Sequence, residues 1–399
     1  MTPFLFALPW LGVLLFVRFV ARVPTELPEA ASGAFGQGDR GRSGAPPSVS
    51  VIVPARNEML NIETCIRSIS SSDYPDFEII VVDDRSEDAT ADLARALPAQ
   101  NARRIVVIEG APLPDGWLGK PWACHQGYAV STGAVVLFTD ADTVHGRTLL
   151  KRSILGRQEE SADLLTVVGR QLMESFWERL VQPQIFLAML FRFPNFERSV
   201  RNGRWRDAIA NGQYLLFLRG AYEAIGGHEA VKDEVVEDLV LAQLTKRFGL
   251  RLRIRSAETD FATRMYRSLG QLVEGWSKNL VIGGLQSVPR LVRPLVAPLA
   301  FVAGILLWLL PPITLLAFAA GWVADWGADV GQWSAVVCAL SAVTWVLFSQ
   351  RMGTPARYGL LYPLGAAVGS YILLRSWVRG RNVEWKGRRY RVRPRSEWA

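Results

Sequence analysis

Four short apolar runs alternate with helix-like stretches in the first part of the chain. The runs read SVSVIVP, EIIVVDD, RIVVIEG and AVVLFTDAD, and helices are expected over 58–70, 89–97 and 121–130. Continuous apolar runs that alternate with helices are typical of strands buried on both faces of a parallel sheet. We therefore predict an α/β fold with a Rossmann-like, mostly parallel sheet.

The following region, up to residue 284, is less regular. ADLLTVVGRQLM and DAIANGQYLLFL predict two further strands. EVVEDLVLAQLTKRFG predicts an amphipathic helix that ends before Gly249, because glycine is common just after a helix C-terminus. FATRMYRSLGQLVEGWSKNLV predicts one more helix. We assign 48–284 to the α/β domain.

Apolar residues are concentrated at both ends of the chain, outside this domain. FLFALPWLGVLLFVRFV is about long enough to cross a bilayer, so we predict an N-terminal transmembrane anchor over 1–24. Arg18 and Arg22 at its end place the following residues on the cytoplasmic side, by the positive-inside rule. Residues 25–47 are rich in Gly, Ala, Pro and Ser, which predicts a flexible linker.

The C-terminal region 285–378 is predicted to form interfacial and transmembrane helices. Arg290 and Arg293 lie among apolar residues and prolines, which is typical of a segment at the membrane surface. The candidate spanning segments are 299–323, 335–348 and 358–374.

The end of the chain is strongly basic. Residues 375–399 contain nine basic and two acidic residues, a balance of 9 − 2 = +7 in a chain of net charge +8. Next to a membrane, this charge predicts a basic cytoplasmic tail over 379–399. One N-terminal and three C-terminal crossings would place the tail outside, so we expect one apolar segment not to cross. The prediction is a multi-pass protein of the cell inner (cytoplasmic) membrane with its α/β domain in the cytoplasm.

Two classes of protein are disfavoured by the polar residues. The three cysteines and three histidines are scattered without the spacing of a zinc site. The excess basic charge lies beside the apolar segments and not along the α/β domain, which argues against a nucleic-acid-binding protein.

Charged residues follow three of the predicted strands. The strand ends read PARNE, VDDRS and TDAD, and the carboxyl ends of parallel strands form the ligand crevice of such a sheet. Asp140 and Asp142 could both face a hard divalent cation that keeps water and substrate phosphate oxygens as its other ligands. The alternative is a surface turn in which an aspartate caps the next helix.

Other candidates lie around this crevice. Asp83, Asp84 and Glu58 could accept hydrogen bonds from a base N–H or a ribose hydroxyl, or else form turns and helix caps. Lys120 could lie beside a diphosphate, with Trp117 and Trp122 stacked on a ring. The alternatives are a solvated loop lysine and tryptophans that pack in the core.

Two later motifs are also ambiguous. Glu237 and Asp238 could supply a general base, or could be first-turn charges favoured by the helix dipole. Arg264 and Arg267 would share a face of the last predicted helix, which also carries Trp276. They could bind a phosphate or form a basic, membrane-facing surface.

The motifs VSVIVPARNE, IIVVDDRSEDAT, LFTDADT and VVEDLVLA, in this order and spacing, resemble the family 2 inverting glycosyltransferases of GT-A fold. The resemblance covers 48–281. The forms GWLGKPWACHQG and EGWSKN, with apolar segments at both ends, are similar to the membrane-bound bacterial branch that includes hopanoid-associated and carotenoid glycosyltransferases and is related to ceramide glucosyltransferases.

The resemblance implies a nucleotide-sugar donor, a UDP-sugar, with Mg²⁺ or Mn²⁺ as cofactor and a lipid hydroxyl as acceptor. It implies that Asp142 is the stronger metal ligand beside Asp140 and that Asp238 is the general base. Glu237 is the competitor for the base because it is adjacent to Asp238. The residues expected to bind the nucleotide sugar are Pro54, Arg56, Glu58, Asp83, Asp84, Lys120, Asp140, Arg264, Arg267 and Trp276.

One departure from the family bears on the product. Members that make long polysaccharides carry QxxRW on the late helix, but here the helix reads GQLVEGW and Gly275 stands at the arginine position. A non-processive enzyme that glycosylates a lipid is therefore preferred. The alternatives are a polysaccharide synthase, a polyprenyl-phosphate glycosyltransferase, and a membrane-tethered nucleotide-binding scaffold without catalysis.

Overall fold

The computed structural model describes residues 5–30, 46–323, 327–380, 382–385 and 388–391. The chain divides into two compact units. The sheet unit contains Val23–Leu172, Phe196–Met265 and Arg381–Ala399, and the helical unit contains Met1–Arg22, Met173–Asn195 and Tyr266–Gly380. Residues 173–195 and 266–284, which the sequence analysis assigned to the α/β domain, thus group with the apolar helices.

The described strands number twelve. In chain order, β1 to β12 are Val49–Ala55, Phe77–Asp83, Ile105–Glu109, Val135–Thr139, Thr143–His145, Leu164–Val168, Arg170–Gln171, Tyr214–Leu218, Leu252–Ser256, Phe261–Thr263, Asn382–Trp385 and Arg388–Arg391.

The α-helices of the described chain are numbered in the same way. In chain order, α1 to α15 are Leu8–Leu15, Ile62–Ser70, Thr90–Arg95, Gly119–Ala129, Leu149–Glu159, Phe176–Arg192, Phe196–Arg201, Arg219–Ala224, Glu237–Arg247, Leu269–Gln286, Arg293–Gly304, Leu310–Ala319, Ala328–Arg351, Ala356–Leu360 and Tyr362–Arg379. Short 3₁₀ or π segments are Phe16–Val20, Trp205–Asp207, Gly227–Val231, Arg290–Val292 and Ile305–Leu309.

The sheet unit is built on a seven-stranded sheet of order β3-β2-β1-β4-β8-β6-β9. Its pairings are parallel except for those of β8, which runs antiparallel to both β4 and β6. Val51, Ile52 and Val53 of β1 are fully buried, as are Ile79, Ile80 and Val81 of β2. Burial on both faces is why these strands are continuous apolar runs. The predicted mostly parallel α/β sheet is confirmed.

A second, three-stranded sheet has the order β5-β10-β7. Strand β10 runs antiparallel to β5 and parallel to β7. The single helix predicted from FATRMYRSLGQLVEGWSKNLV is therefore wrong at its start, because Phe261–Thr263 is a buried strand. The helix α10 begins only after Ser268, whose side chain accepts a hydrogen bond from the Gln271 amide. Arg264 and Arg267 lie before it and are not neighbours on a helix face.

Two helices of the sheet unit begin beside the predicted acidic residues. Helix α9 begins at Glu237, so that Glu237 and Asp238 form its first turn, and the predicted glycine after its C-terminus, Gly249, has a φ of 73°. Helix α2 begins at Ile62 and not at the predicted residue 58, because Glu58 forms a turn whose carbonyl accepts from the Asn61 and Ile62 amides.

The first residues of the predicted linker are packed onto the sheet unit. The Leu27 amide donates to the Ser256 carbonyl (2.8 Å), the Ser256 amide donates to the Thr25 carbonyl (2.9 Å), and Leu27 is buried. Residues 25–30 therefore form no flexible linker. The remainder of that prediction, 31–45, lies outside the described residues.

The helical unit contains two helices long and apolar enough to span a membrane among the helices described. They are Arg290–Ala319, with 30 residues and mean hydropathy 2.3, and Ala328–Arg351, with 24 residues and mean hydropathy 1.6. The third predicted span, 358–374, is not one of them. There the chain forms two separate helices, α14 and α15, with Leu361 between them.

The N-terminal helix is shorter than predicted. The 8 residues of α1 and the 5-residue π segment Phe16–Val20 form one apolar helix. Thirteen helical residues rise about 20 Å, whereas the hydrocarbon core of a bilayer is about 30 Å thick. The described helix therefore falls short of the predicted transmembrane anchor.

Candidate active site

Lys120 connects two of the acidic motifs in the sheet unit. Its Nζ lies 2.7 Å from Asp140 Oδ1 and 2.9 Å from Glu237 Oε1. Lys120 lies in the first turn of α4, Asp140 follows β4, and Glu237 begins α9. Three predicted site residues from distant parts of the sequence are thus joined by two ion pairs at one place.

The two ion pairs influence the protonation of Lys120 and Asp140. Burial of the Lys120 ammonium opposes its charge, but Asp140 and Glu237 outweigh that effect and raise the pKa of Lys120 well above its ordinary value. Burial raises the pKa of Asp140, and the Lys120 ammonium opposes that rise. One ammonium between two carboxylates leaves a net negative charge when both carboxylates are ionised.

Asp238 is held by backbone amides. Its Oδ2 accepts from the Gly212 amide (2.9 Å) and its Oδ1 accepts from the Leu239 amide (2.8 Å). Residue 212 has to be glycine in this packing, because a Cβ there would lie 2.8 Å from Asp238 Oδ2. Burial, reinforced by the negative charge of Glu237, raises the pKa of Asp238 to about 6. Such a carboxylate is ionised at neutral pH and still basic enough to accept a proton.

Asp83 and Asp84 end β2 and are both buried. Asp83 Oδ2 accepts from the Ser86 amide (3.3 Å), and Asp84 Oδ2 is paired with Arg388 (2.7 Å). In each residue, Oδ1 is buried and has no hydrogen-bond partner among the residues that the structure describes. Buried acceptors are normally satisfied, so these two oxygens are candidates for hydrogen bonds from a ligand.

Arg56, which follows β1, contacts the loop that contains Asp84. Arg56 is buried, and its Nη1 donates to the carbonyls of Asp84 (2.7 Å) and Arg85 (2.8 Å). Arg85 (φ 56°) and Asn57 (φ 52°) adopt the left-handed conformation that non-glycine residues rarely take. Arg56 therefore holds the loop after β2, and its part in binding a nucleotide stays a prediction.

The other predicted residues of this strand end have local contacts. Glu58 Oε2 accepts from Asn61 Nδ2 (2.7 Å), and the Glu58 amide donates to Thr90 Oγ1 (2.8 Å). Pro54 is half-buried in β1, opposite Val82 of β2.

Asp142 lies in a turn between β4 and β5. Its Oδ1 is 3.5 Å from Thr263 Oγ1, and its carbonyl accepts from the Arg264 amide (3.3 Å). The two predicted metal ligands have different protein partners: Lys120 pairs with Asp140, and Thr263 lies near Asp142.

Within the described ranges, no group of three or more His, Cys, Asp or Glu side chains could hold a metal ion. Two carboxylates provide only oxygen ligands, which fit Mg²⁺ or Mn²⁺ when a diphosphate and water complete the coordination. Such a pair could hold a metal only together with oxygen ligands from a substrate and water.

Two aromatic residues predicted to stack on a ligand pack on each other. The rings of Trp117 and Trp122 are 5.0 Å apart, and the ring of His125 lies 5.0 Å from Trp117 and 5.6 Å from Trp122.

Arg267 and Trp276 belong to the helical unit. The Arg267 amide donates to Gln271 Oε1 (2.9 Å), and Trp276 is buried against the rings of Phe186 and Tyr266. A Cβ on Gly275 would lie 2.4 Å from the Tyr266 ring. An arginine at position 275 would collide with Tyr266 in this packing. The absence of the QxxRW arginine therefore agrees with the packing of this helix.

Residues 50–226 match the family model described as Glycosyl transferase family 2. This segment, less than half of the chain, therefore resembles a glycosyltransferase family 2 domain. The chain is 27% identical over 354 residues to a 4,4'-diaponeurosporenoate glycosyltransferase from Staphylococcus aureus (strain MRSA252), covering 86% of this chain and 88% of the relative.

A solved structure similar to this chain supports the GT-A-like α/β fold. It is the mannosyltransferase PcManGT from Pyrobaculum calidifontis in complex with GDP-Man and Mn²⁺, with a TM-score of 0.50, 18% identity, and coverage of 94% of both chains. At this identity, the likeness concerns the fold alone.

Sequence reasoning missed Arg388 at the candidate site. It is one of many arginines in a tail that the sequence analysis interpreted as membrane-facing. No local pattern distinguishes it, since its partner Asp84 is 304 positions away.

Proposed function

We propose that this enzyme transfers a sugar from a nucleotide-diphosphate sugar to a carotenoid-type lipid acceptor, with inversion at the anomeric carbon. The main support for the proposal is that Lys120 forms ion pairs with both Asp140 and Glu237. They place the start of α9, with Asp238, beside the end of β4. The name of the Staphylococcus relative, which specifies a carotenoid, supports the acceptor class.

The nucleoside would bind at the ends of β1 and β2. The unpartnered Oδ1 atoms of Asp83 and Asp84 can accept hydrogen bonds from a base N–H and from ribose hydroxyls. The permanently charged Lys120 would lie beside the diphosphate, where an ammonium is favoured. We propose a UDP-sugar as the donor.

Asp142 and Asp140 would hold Mg²⁺ or Mn²⁺. The metal, when bound, neutralises charge that develops on the departing diphosphate. The complex of the Pyrobaculum mannosyltransferase with Mn²⁺ is consistent with this choice.

The reaction we propose is a single displacement. Asp238 accepts the proton of the acceptor hydroxyl while that oxygen forms a bond to the anomeric carbon. The bond between the same carbon and the diphosphate breaks on the opposite face, which inverts the configuration. Glu237 keeps its ion pair with Lys120 and holds the ammonium in place, and the amides of Gly212 and Leu239 orient Asp238.

A second acceptor chemistry deserves a test. The name of the Staphylococcus relative denotes a carboxylate, diaponeurosporenoate. A carboxylate acceptor is already an anion and has no proton to lose, so the reaction would then need no general base, and Asp238→Asn would keep most of its activity.

The decisive experiment is incubation of the membrane-embedded protein with labelled nucleotide sugars and native lipid extract, followed by lipid chromatography. We expect label from one nucleotide sugar to enter the lipid fraction as a single-sugar product. Polymeric product would favour a polysaccharide synthase. Binding of nucleotides without any transfer would favour a non-catalytic scaffold and would contradict the proposal.

The two candidate spans suggest a membrane topology. If Arg290–Ala319 and Ala328–Arg351 both cross and the short N-terminal helix lies in the interface, two crossings separate the α/β domain from the tail. Residues before and after this pair then share one side of the membrane. This arrangement removes the conflict between the tail charge and the three predicted C-terminal crossings, which would place the tail on the opposite side from the domain.

Cysteine labelling tests this topology. In a Cys338→Ser background, with Cys65 and Cys124 buried, we introduce a cysteine at Ser48 or Ser396. We expect an impermeant reagent to label neither site in intact cells and both after permeabilisation, because both would be cytoplasmic. Labelling of the Ser396 site alone from outside would refute the shared side.

The pKa of Asp238 predicts a pH dependence. A general base works only when it is deprotonated, so kcat/KM should be constant above pH of about 6 and fall roughly tenfold per pH unit below it. The measurement is a pH profile of transfer at subsaturating acceptor. The same falling limb in the Asp238→Asn protein would show that another group titrates.

A further inference from the structure

The C-terminal hairpin of β11 and β12 places one side chain on the sheet unit. Arg388 Nη1 lies 2.7 Å from Asp84 Oδ2, and the side chains of Arg388 and Asp84 are 20% and 2% exposed. A second guanidinium nitrogen, Nη2, is 3.5 Å from the Asp84 carbonyl. The pair is therefore well shielded from water, unlike an ordinary surface ion pair, which contributes little.

Asp84 is fixed on its other sides by β1. Its amide donates to the Ala55 carbonyl (2.7 Å), and its carbonyl accepts from Arg56 Nη1 (2.7 Å). Gly110 packs closely, since a Cβ there would lie 3.3 Å from the Asp84 Cα. With the backbone and Oδ2 both held, the position of the remaining oxygen Oδ1 is fixed as well.

That remaining oxygen needs a hydrogen-bond donor. Among the residues that the structure describes, Asp84 Oδ1 is buried and has no hydrogen-bond partner. The same is true of Oδ1 of the neighbouring Asp83. Burial raises the pKa of Asp84, and the Arg388 and Arg56 guanidinium groups oppose that rise, whereas Asp83 reinforces it. Arg388 thus favours the ionised form, in which Oδ1 can only accept.

We propose that Arg388 is a positioning residue of the donor site: it fixes the Asp84 carboxylate so that Oδ1 accepts a hydrogen bond from the nucleoside of the donor. This inference rests on the proposed function, because it assumes that the ligand is a nucleotide. It assigns to the basic tail a role in substrate binding in addition to any contact with the membrane.

The test is nucleotide binding by the full-length, detergent-solubilised protein. Titration calorimetry with UDP and with GDP compares wild type, Arg388→Ala, Arg388→Lys and the control Arg67→Ala. Arg67 forms a half-exposed ion pair with Glu63 on α2 and is no part of the site. We expect Arg388→Ala to weaken binding of the preferred nucleotide roughly tenfold, the range for loss of a charge-assisted hydrogen bond.

Three further results separate positioning from general structure. Arg388→Lys should recover most of the affinity, Arg67→Ala should bind as wild type, and thermal melting should show Arg388→Ala to be folded. In transfer assays, Arg388→Ala should raise the KM for the donor about tenfold and change kcat much less.

Unchanged nucleotide binding by Arg388→Ala would overturn the inference. Tighter binding would overturn it too, because Arg388 would then occupy the place of the nucleoside. If the wild type binds neither UDP nor GDP, it is the proposed donor, and with it the proposed function, that fails.

Discussion

We expect the Asp142→Asn protein to transfer no measurable sugar while remaining folded. The substitution keeps the size of the side chain and removes its negative charge, which a hard divalent cation requires of its ligand. Loss of the metal removes several kcal/mol of transition-state stabilisation, or a decrease of roughly 10³-fold or more in turnover. The measurement is transfer of labelled sugar to lipid by Asp142→Asn and by wild type in excess chelator.

A matched control is Asp92→Asn. Asp92 is an exposed aspartate on α3, paired only weakly with Arg95 across 3.4 Å. It should leave transfer unchanged, and its melting temperature and that of Asp142→Asn should stay close to that of wild type. Full activity of the wild type in chelator would remove the metal from the mechanism, whatever the effect of Asp142→Asn.

The strands around the site were predictable because their burial is local information. The run EIIVVDD forms a strand that is buried on both faces. This strand, β2 (Phe77–Asp83), ends at the predicted acidic pair. The positions of the strand ends were predictable for the same reason, because charged side chains do not continue a strand that is buried on both faces.

Short strands were not predictable, because their stability comes from distant partners. Phe261–Thr263 pairs with Thr143–His145 and Arg170–Gln171, which lie about a hundred residues earlier. Nothing in FATRMYRS distinguishes such a strand from the first turns of the helix that follows. The predicted helix face of Arg264 and Arg267 failed for this reason.

Ion pairs between residues that are distant in the sequence could not be predicted either. The chain offers many lysines and arginines, and only the tertiary fold selects Lys120 as the partner of Asp140 and Glu237. Likewise, the sequence indicated a tail charged enough to meet a membrane but not that Arg388 would pair with Asp84.

Asp238→Asn should lower turnover by roughly 10²–10⁴-fold, the usual contribution of a positioned general base. A neutral alcohol is a poor nucleophile until its proton is removed in the transition state. Binding of the donor does not use this carboxylate, so the affinity for the nucleotide sugar should stay nearly unchanged, as expected for an interaction made only in the transition state. The measurements are kcat for transfer and Kd for the donor.

Glu237→Gln is the matched comparison, because the two residues are adjacent but have different contacts. Glu237 is ion-paired with Lys120, whereas the Asp238 carboxylate accepts from backbone amides and keeps further acceptor sites. We therefore expect Glu237→Gln to affect transfer less than Asp238→Asn. An inactive Glu237→Gln with an active Asp238→Asn would exchange the two roles.

If both variants keep most of their activity, no proton is being removed. The acceptor is then an anion, as the carboxylate in the name of the Staphylococcus relative or the phosphate of a polyprenyl phosphate would be. Because a carboxylate attacks without a base, the pH profile should then lack the falling limb near pH 6 that Asp238 would otherwise impose. The two carboxylates of α9 thus decide between an alcohol and an anionic acceptor by kinetics alone, before the lipid itself is identified.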